Sequence, residues 1–134
     1  MSEVFGPFDY RRIARLERWG RHVLPGWIFG DEVIAPAADT KLVSHSVSVG
    51  REGYIYGFEI TAGETNDFKI NWVSGGVSKS RRIIFGGKGT LHHIDFIAFN
   101  EKFPADAESE ISITNINNGS GGVAYQTSLL IAEV

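Results

Sequence analysis

Val123-Ala-Tyr-Gln-Thr-Ser-Leu-Leu-Ile-Ala-Glu-Val134 is the stretch that decides the fold of this chain. Successive side chains of an extended segment point to opposite sides, and the last third of this stretch is apolar on both of them. Such a strand is typical of a core position, where a second sheet or another copy of the chain covers it. The stretch therefore predicts a central strand, and its candidate oligomer-interface residues are Tyr125, Leu129, Leu130 and Ile131.

The composition is that of one ordinary globular domain. The 134 residues are 43% hydrophobic and 22% charged, and a chain of this length buries roughly two-thirds of its unfolded surface. Cysteine is absent, which excludes disulfides, cysteine-based zinc sites and thiol nucleophiles. No apolar run approaches the ~20 residues that span a bilayer, and the first residues lack a signal-peptide pattern. We expect a soluble protein without a membrane partner.

The N-terminal 22 residues form a basic arm on an acidic chain. They hold five arginines and three carboxylates, whereas the net charge of the whole chain is −3. Between Asp9 and Gly20, which are suitable capping residues, the spacing predicts an amphipathic helix. Its arginine side is a candidate docking surface, because guanidinium groups make bidentate contacts with carboxylates and phosphates. The alternative is a solvated helix face. The three arginines on this side of the predicted helix are Arg11, Arg15 and Arg18.

A short apolar segment follows this helix. Pro25-Gly26 ends any helix, and Trp27-Ile28-Phe29 has neither a helical nor a strand period. We interpret Trp27 and Phe29 as part of the docking segment. The net negative charge of the chain argues against nucleic acid as the partner and leaves a protein partner as the expectation.

From Lys41 onward the sequence alternates in the manner of β-strands, with glycine-rich turns between them. No helical pattern of about 10–15 residues separates any two of these strands, which excludes a parallel α/β fold. We predict an all-β fold, a jelly-roll β-sandwich of seven to eight strands preceded by one amphipathic helix. Residues 1–40 would form the helix and a connector, and residues 41–134 the sandwich. The seven predicted strands are 42–49, 54–60, 68–72, 80–85, 90–99, 110–116 and 123–134.

Five short motifs follow one another in the last third of the chain. They are Gly89-Thr90, Phe103-Pro-Ala-Asp106, Ile111-Ser-Ile-Thr-Asn115, Gly119-Ser-Gly-Gly122 and Ser128-Leu-Leu-Ile131. In this order they resemble the small jelly rolls of phage and archaeal-virus particles. The ending is also similar to jelly rolls of the tumour necrosis factor and complement globular-head type. The resemblance implies a homotrimer with aromatic and aliphatic residues around its axis, and it implies no catalytic residue.

An aromatic row offers an alternative function. Tyr54, Tyr56 and Phe58 alternate along one predicted strand, and Trp72 lies on the next. Exposed rings of this kind stack on sugars, so Tyr54, Tyr56 and Trp72 are the candidate ligand-stacking residues of a lectin-like module. The other interpretation is that the row belongs to the sandwich core or to a subunit interface.

The histidines offer a third function. His92 and His93 are adjacent, so on a strand they point to opposite faces and cannot form the His-x-His pair of a cupin metal site. His93 and Asp95 share a face and, together with His45, form a candidate metal set for a small metal-dependent enzyme. The competing interpretation is a histidine with an ordinary hydrogen-bonded ring.

The leading hypothesis is a structural protein without enzymatic activity or cofactor. It would assemble as a homotrimer, of the virion decoration or fibre-head kind, and dock a capsid or other protein through its N-terminal segment. Its location would be a virus particle or the cytoplasm.

Overall fold

In the computed structural model the described residues are 25–85, 89–94 and 104–134. The predicted N-terminal helix, with Arg11, Arg15 and Arg18, lies outside them, and so does Asp95. The described residues form ten strands and no helix. The strands are β1 Pro25–Phe29, β2 Val33–Ile34, β3 Lys41–Ser46, β4 Gly53–Ala62, β5 Asn66–Ser74, β6 Val77–Phe85, β7 Gly89–Ile94, β8 Pro104–Ala105, β9 Glu110–Asn115 and β10 Ala124–Glu133.

The strands pair antiparallel in two sheets, which confirms the prediction of an all-β sandwich. The six-stranded sheet has the order β1-β10-β4-β7, with β2 paired to β10 and β8 paired to β4. The four-stranded sheet has the order β3-β9-β5-β6. Side chains that point inward from both sheets form the core between them.

The C-terminal strand β10 is central in the six-stranded sheet, as its two apolar sides predict. It lies between β1 and β4, and its inward residues Tyr125, Leu129 and Ile131 are at most 1% exposed. The ring of Tyr125 packs on Phe68 of the opposite sheet, with 5.8 Å between the ring centroids. On the outward side, Leu130 lies opposite Trp27 of β1 and Gly57 of β4. A second sheet of the same chain therefore covers the inner side of β10.

The sandwich begins earlier than the sequence predicts. Strands β1 and β2 pair with β10, so residues 25–34 belong to the six-stranded sheet and not to an arm that ends at residue 40. The predicted boundary was wrong in this part, because a short strand at the edge of a sheet needs no regular alternation. Pairing with β10 is enough to hold it.

Three loops at one end of the sandwich are joined by buried asparagines. Asn115, at 0% exposure, donates through its side-chain amide to the carbonyls of Ala37 and Asn117, at 2.9 and 2.8 Å, and accepts from the Thr40 N–H at 3.1 Å. Asn66 donates to the Asn117 carbonyl and to the Tyr125 hydroxyl, each at 2.9 Å. These bonds pair backbone groups of the loops at positions that are partly or fully buried.

We expect Asn115→Ala to lower the free energy of unfolding by about 3 kcal/mol, because it leaves partly or fully buried carbonyls without donors. The matched control is Asn118→Ala, since Asn118 accepts from the Ala38 N–H at an exposed position where water can replace it. The control should cost less than about 1 kcal/mol. Urea denaturation of both variants measures the difference, and equal losses would contradict this role of Asn115.

Candidate functional site

The β1 edge of the six-stranded sheet, as the described residues form it, presents an apolar surface, which we call the edge surface. It consists of the side chains of Trp27 and Phe29 on β1 and Ile34 on β2. Register places all three on the outward side of the sheet, because Trp27 pairs with the outward Leu130, Phe29 with Ser128 and Ile34 with Ala124. The two candidate docking residues Trp27 and Phe29 are thus brought together. Their rings stack with centroids 6.3 Å apart and planes at 20°.

A close backbone approach shapes this edge. Gly30, between β1 and β2, donates its N–H to the Thr127 carbonyl at 2.8 Å. A Cβ at this position would lie 2.2 Å from the Leu42 carbonyl oxygen, so only glycine fits there. This contact lets β1 and β2 both follow the same side of β10 and carry their outward side chains in one row.

Two of the three side chains of the edge surface are exposed, whereas Trp27 is half-buried. Phe29 is 74% exposed and Ile34 is 55% exposed. Strand β1 also ends the strand order, so among the described residues β10 is its sole sheet neighbour. An apolar row on an edge strand, whose outer side has no neighbouring strand, is a typical site of strand-to-strand or protein-protein contact.

The opposite edge differs in character. Strand β6 ends the four-stranded sheet, and its residues 77–82 are all exposed. Lys79, Arg81 and Arg82 give this strand a row of cations, and Arg82 pairs with Asp67 of β5. Charged side chains on an edge strand disfavour pairing with another chain. The two edges are therefore not equivalent as docking surfaces.

The predicted oligomer interface must be corrected. Tyr125, Leu129 and Ile131 are at most 1% exposed and Leu130 is 7% exposed, all within a single chain. The inward three belong to the core shared with the four-stranded sheet, so they have no surface left for a neighbouring subunit. The apolar character that suggested an interface is explained by burial within one chain.

The predicted ligand-stacking row must also be corrected. Tyr56 is 1% exposed and Trp72 is 6% exposed, and Trp72 belongs to the other sheet. The register between β4 and β10 shifts at Tyr56, since Leu130 pairs with Gly57 and Ile131 with Ile55. Because of this bulge, the inward and outward positions of β4 change places at Tyr56. Ile55 is therefore buried in the core, and Tyr54 is half-buried. The three rings do not form one exposed platform.

His45 of the candidate metal set is engaged in a different contact. Its Nε2 lies in hydrogen-bonding contact with the carboxylate of Glu133, near the end of β10. Glu133 is 5% exposed and also accepts from the Ser48 N–H at 3.1 Å. Burial raises the pKa of Glu133, but the hydrogen bonds from Ser48 and His45 outweigh it and bring the net pKa below its ordinary value. The pair links β3 of one sheet to β10 of the other.

The candidate metal set is not assembled by the described residues. His45 is on β3, which ends the four-stranded sheet on the side where β3 contacts β1 and β10. His93 is on β7, at the other end of the six-stranded sheet, and is described by its backbone alone. Within the ranges that the structure describes, no group of three or more His, Asp or Glu residues could hold a metal ion.

Two further carboxylates hold loops in place. Asp106 accepts from the N–H groups of Gly76 and Gly75, at 2.8 and 2.9 Å, and these bonds lower its pKa. Glu64 accepts from the Ser120 N–H and the Tyr125 hydroxyl, each at 2.8 Å, and its pKa is lowered for the same reason. Each of these carboxylates joins segments that are distant in sequence.

Ile34 and Glu133 are the residues of these sites that the sequence did not single out. Ile34 lies in a two-residue strand, too short for an alternation to be seen, and Glu133 contacts a histidine 88 positions away.

No helix of the described ranges has the length and apolar character needed to cross a membrane.

We expect the His45–Glu133 contact to make stability depend on pH in the acid range. Because the folded chain lowers the pKa of Glu133 from 4.5, the ionised carboxylate stabilises the fold above that value. This contribution is lost as the pH falls through the lowered folded pKa. Glu133→Gln should cost about 2 kcal/mol at neutral pH and should reduce the loss of stability between about pH 5 and about pH 3.

Urea unfolding across this range measures the effect. Glu108→Gln is the matched control, since it removes one carboxylate from an exposed turn position, and it should keep the profile of the unmodified chain. The same acid profile in Glu133→Gln as in the unmodified chain would rule the contact out as a source of acid sensitivity.

Comparison with known proteins adds no assignment to these sites. No family model, curated protein or solved structure matches this chain.

Proposed function

We propose that this chain is a non-catalytic assembly protein, a jelly roll that associates with copies of itself through the edge surface. The observation that carries the proposal is the stacked Trp27–Phe29 pair on an edge strand, with Phe29 74% exposed. The edge surface replaces the C-terminal residues as the interface.

The strand order supports the jelly-roll part of the proposal. Leaving aside the two-residue strands β2 and β8, the eight remaining strands pair first with eighth, second with seventh, third with sixth and fourth with fifth. The two halves of the chain thus form one long antiparallel ribbon wrapped around the core, which is the pattern of a jelly roll. The order is β1-β10-β4-β7 in one sheet and β3-β9-β5-β6 in the other.

The physical chemistry of the edge surface favours association. Burying an exposed aromatic side chain such as Phe29 contributes about 1.5–3 kcal/mol, and on its outer side strand β1 has no sheet partner within the part of the chain that the structure describes. In a trimer the apolar rows of three copies meet around one axis, so that each row is covered by the other two. Stoichiometry of three and a place on a virus particle, as a decoration or fibre-head protein, follow from the sequence resemblance to virion and tumour necrosis factor-like jelly rolls.

The contacts of the buried and loop carboxylates support a structural role. Glu133, Glu64 and Asp106 each accept hydrogen bonds from segments that are distant in sequence. These contacts hold strand ends and loops together and so stabilise the scaffold that presents the edge surface.

We expect light scattering coupled to size exclusion to give a mass three times that of the 14.7-kDa chain, at two concentrations. Phe29→Ser should give the monomer mass, because it removes the most exposed ring of the edge surface. It should keep the far-UV circular dichroism spectrum of the unmodified chain, since Phe29 does not belong to the core of the single chain.

Ile84→Ser is the matched control. Ile84 is 73% exposed, close to the 74% of Phe29, but it lies on β6 at the charged edge of the other sheet. This variant should keep the trimer mass. A monomeric unmodified chain, or a trimer that survives Phe29→Ser, would contradict assembly through the edge surface.

A further inference from the structure

The outward face of the four-stranded sheet carries a polar groove that lies on the other sheet from the edge surface. Its volume is about 480 Å³, within the range of roughly 300–1,000 Å³ that is usual for small-molecule sites. The groove is lined mainly by polar side chains of β3, β9, β5 and β6. Among them are Lys41, Lys69, Asn71, Ser112 and Thr114.

Register shows how these side chains come to share one face. Asn71 of β5 lies opposite Ser112 of β9 and Ser80 of β6, and cross-strand partners point to the same side. Lys69 likewise lies opposite Thr114 of β9. The inward residues between them, such as Ile70, are buried in the core. The polar row is therefore a continuous surface across the sheet.

The floor of the groove has unused hydrogen-bonding capacity. The Asn71 amide donates to the Thr114 hydroxyl at 3.2 Å and to the Ser112 hydroxyl at 3.4 Å. Each of these hydroxyls accepts this bond and keeps its own proton for another acceptor. The Asn71 carbonyl oxygen accepts no hydrogen bond from the described residues. The floor can thus both donate to and accept from the hydroxyls of a ligand.

Of the three lysines that line the groove, Lys41, Lys69 and Lys79, Lys41 alone forms an ion pair within the described residues. Lys41 pairs with Glu110 at 2.5 Å, and Arg82 pairs with Asp67. Lys69, which lies between them in the same row, has no carboxylate partner among the described residues. Lys69 is half-buried, and its ammonium group suits a ligand with a carboxylate of its own.

We propose that this groove binds an acidic saccharide. The Lys69 ammonium would pair with the sugar carboxylate, while Asn71, Ser112 and Thr114 hydrogen-bond the ring hydroxyls. Because the groove lies on the open face of a sheet, a saccharide chain can extend beyond it at either end. Recognition here depends on hydrogen bonds and one ion pair, and it needs none of the buried aromatic residues.

The test is calorimetric titration of the full chain with tetrasaccharide probes. The acidic probes are a galacturonic acid oligomer and a sialylated oligosaccharide, the neutral probe is a galactose oligomer, and inorganic phosphate serves as a simple anion. We expect at least one acidic probe to bind more tightly than the neutral probe and phosphate. Lys69→Gln should weaken that binding about tenfold, since it removes a charged hydrogen bond.

Arg51→Gln is the charge-matched control, because Arg51 lies in the exposed turn between β3 and β4 and does not line the groove. It should leave the affinity unchanged, and Asn71→Ala should lower it. Absence of binding by both acidic probes would overturn the proposal, as would equal binding by the galactose oligomer or by phosphate. Equal losses in Lys69→Gln and Arg51→Gln would also overturn it. Phe29→Ser should bind normally, so a failure of this proposal is distinguishable from a failure of the assembly proposal.

Discussion

The packing of β10 against the four-stranded sheet is the interaction on which the rest of the structure depends. Its inward residues Tyr125, Leu129 and Ile131 are fully buried, and the Tyr125 ring reaches Phe68 of the opposite sheet. β10 also holds β1 on one side and β4 on the other. Because a closely packed core tolerates few voids, loss of β10 would separate the two sheets. The same loss would leave the edge strand β1 without its partner.

This arrangement divides the surface of the molecule into two different faces. The six-stranded sheet carries an apolar row along its free edge, where β1 and β2 follow β10. The four-stranded sheet carries polar and charged side chains on its outward face and ends in the cationic strand β6. The apolar edge suits contact with another protein chain, whereas the polar face suits a hydrophilic ligand. One sandwich can therefore serve both roles without competition between them.

The sequence predicts the strands well and their partners poorly. Regular alternation identifies β5 and β9, and the doubly apolar ending identifies β10 as central. The bulge at Tyr56 has no such signal, so the faces of β4 could not be assigned from the pattern. The sequence predicts Trp27 and Phe29 as part of an apolar docking segment, but it does not predict that they lie on a strand. The contact between His45 and Glu133 joins positions 88 apart, and only the fold brings them together.

The most direct test of the account is amide hydrogen exchange in β10, followed by NMR at high and low protein concentration. If the second sheet of the same chain covers this strand, the amides of Leu129 and Ile131 exchange only through global unfolding. In the dissociated chain, their protection should therefore still equal the free energy of global unfolding measured by urea denaturation at the same concentration. Protection far below that free energy in the dissociated chain would mean that a neighbouring subunit covers β10 and would contradict the account.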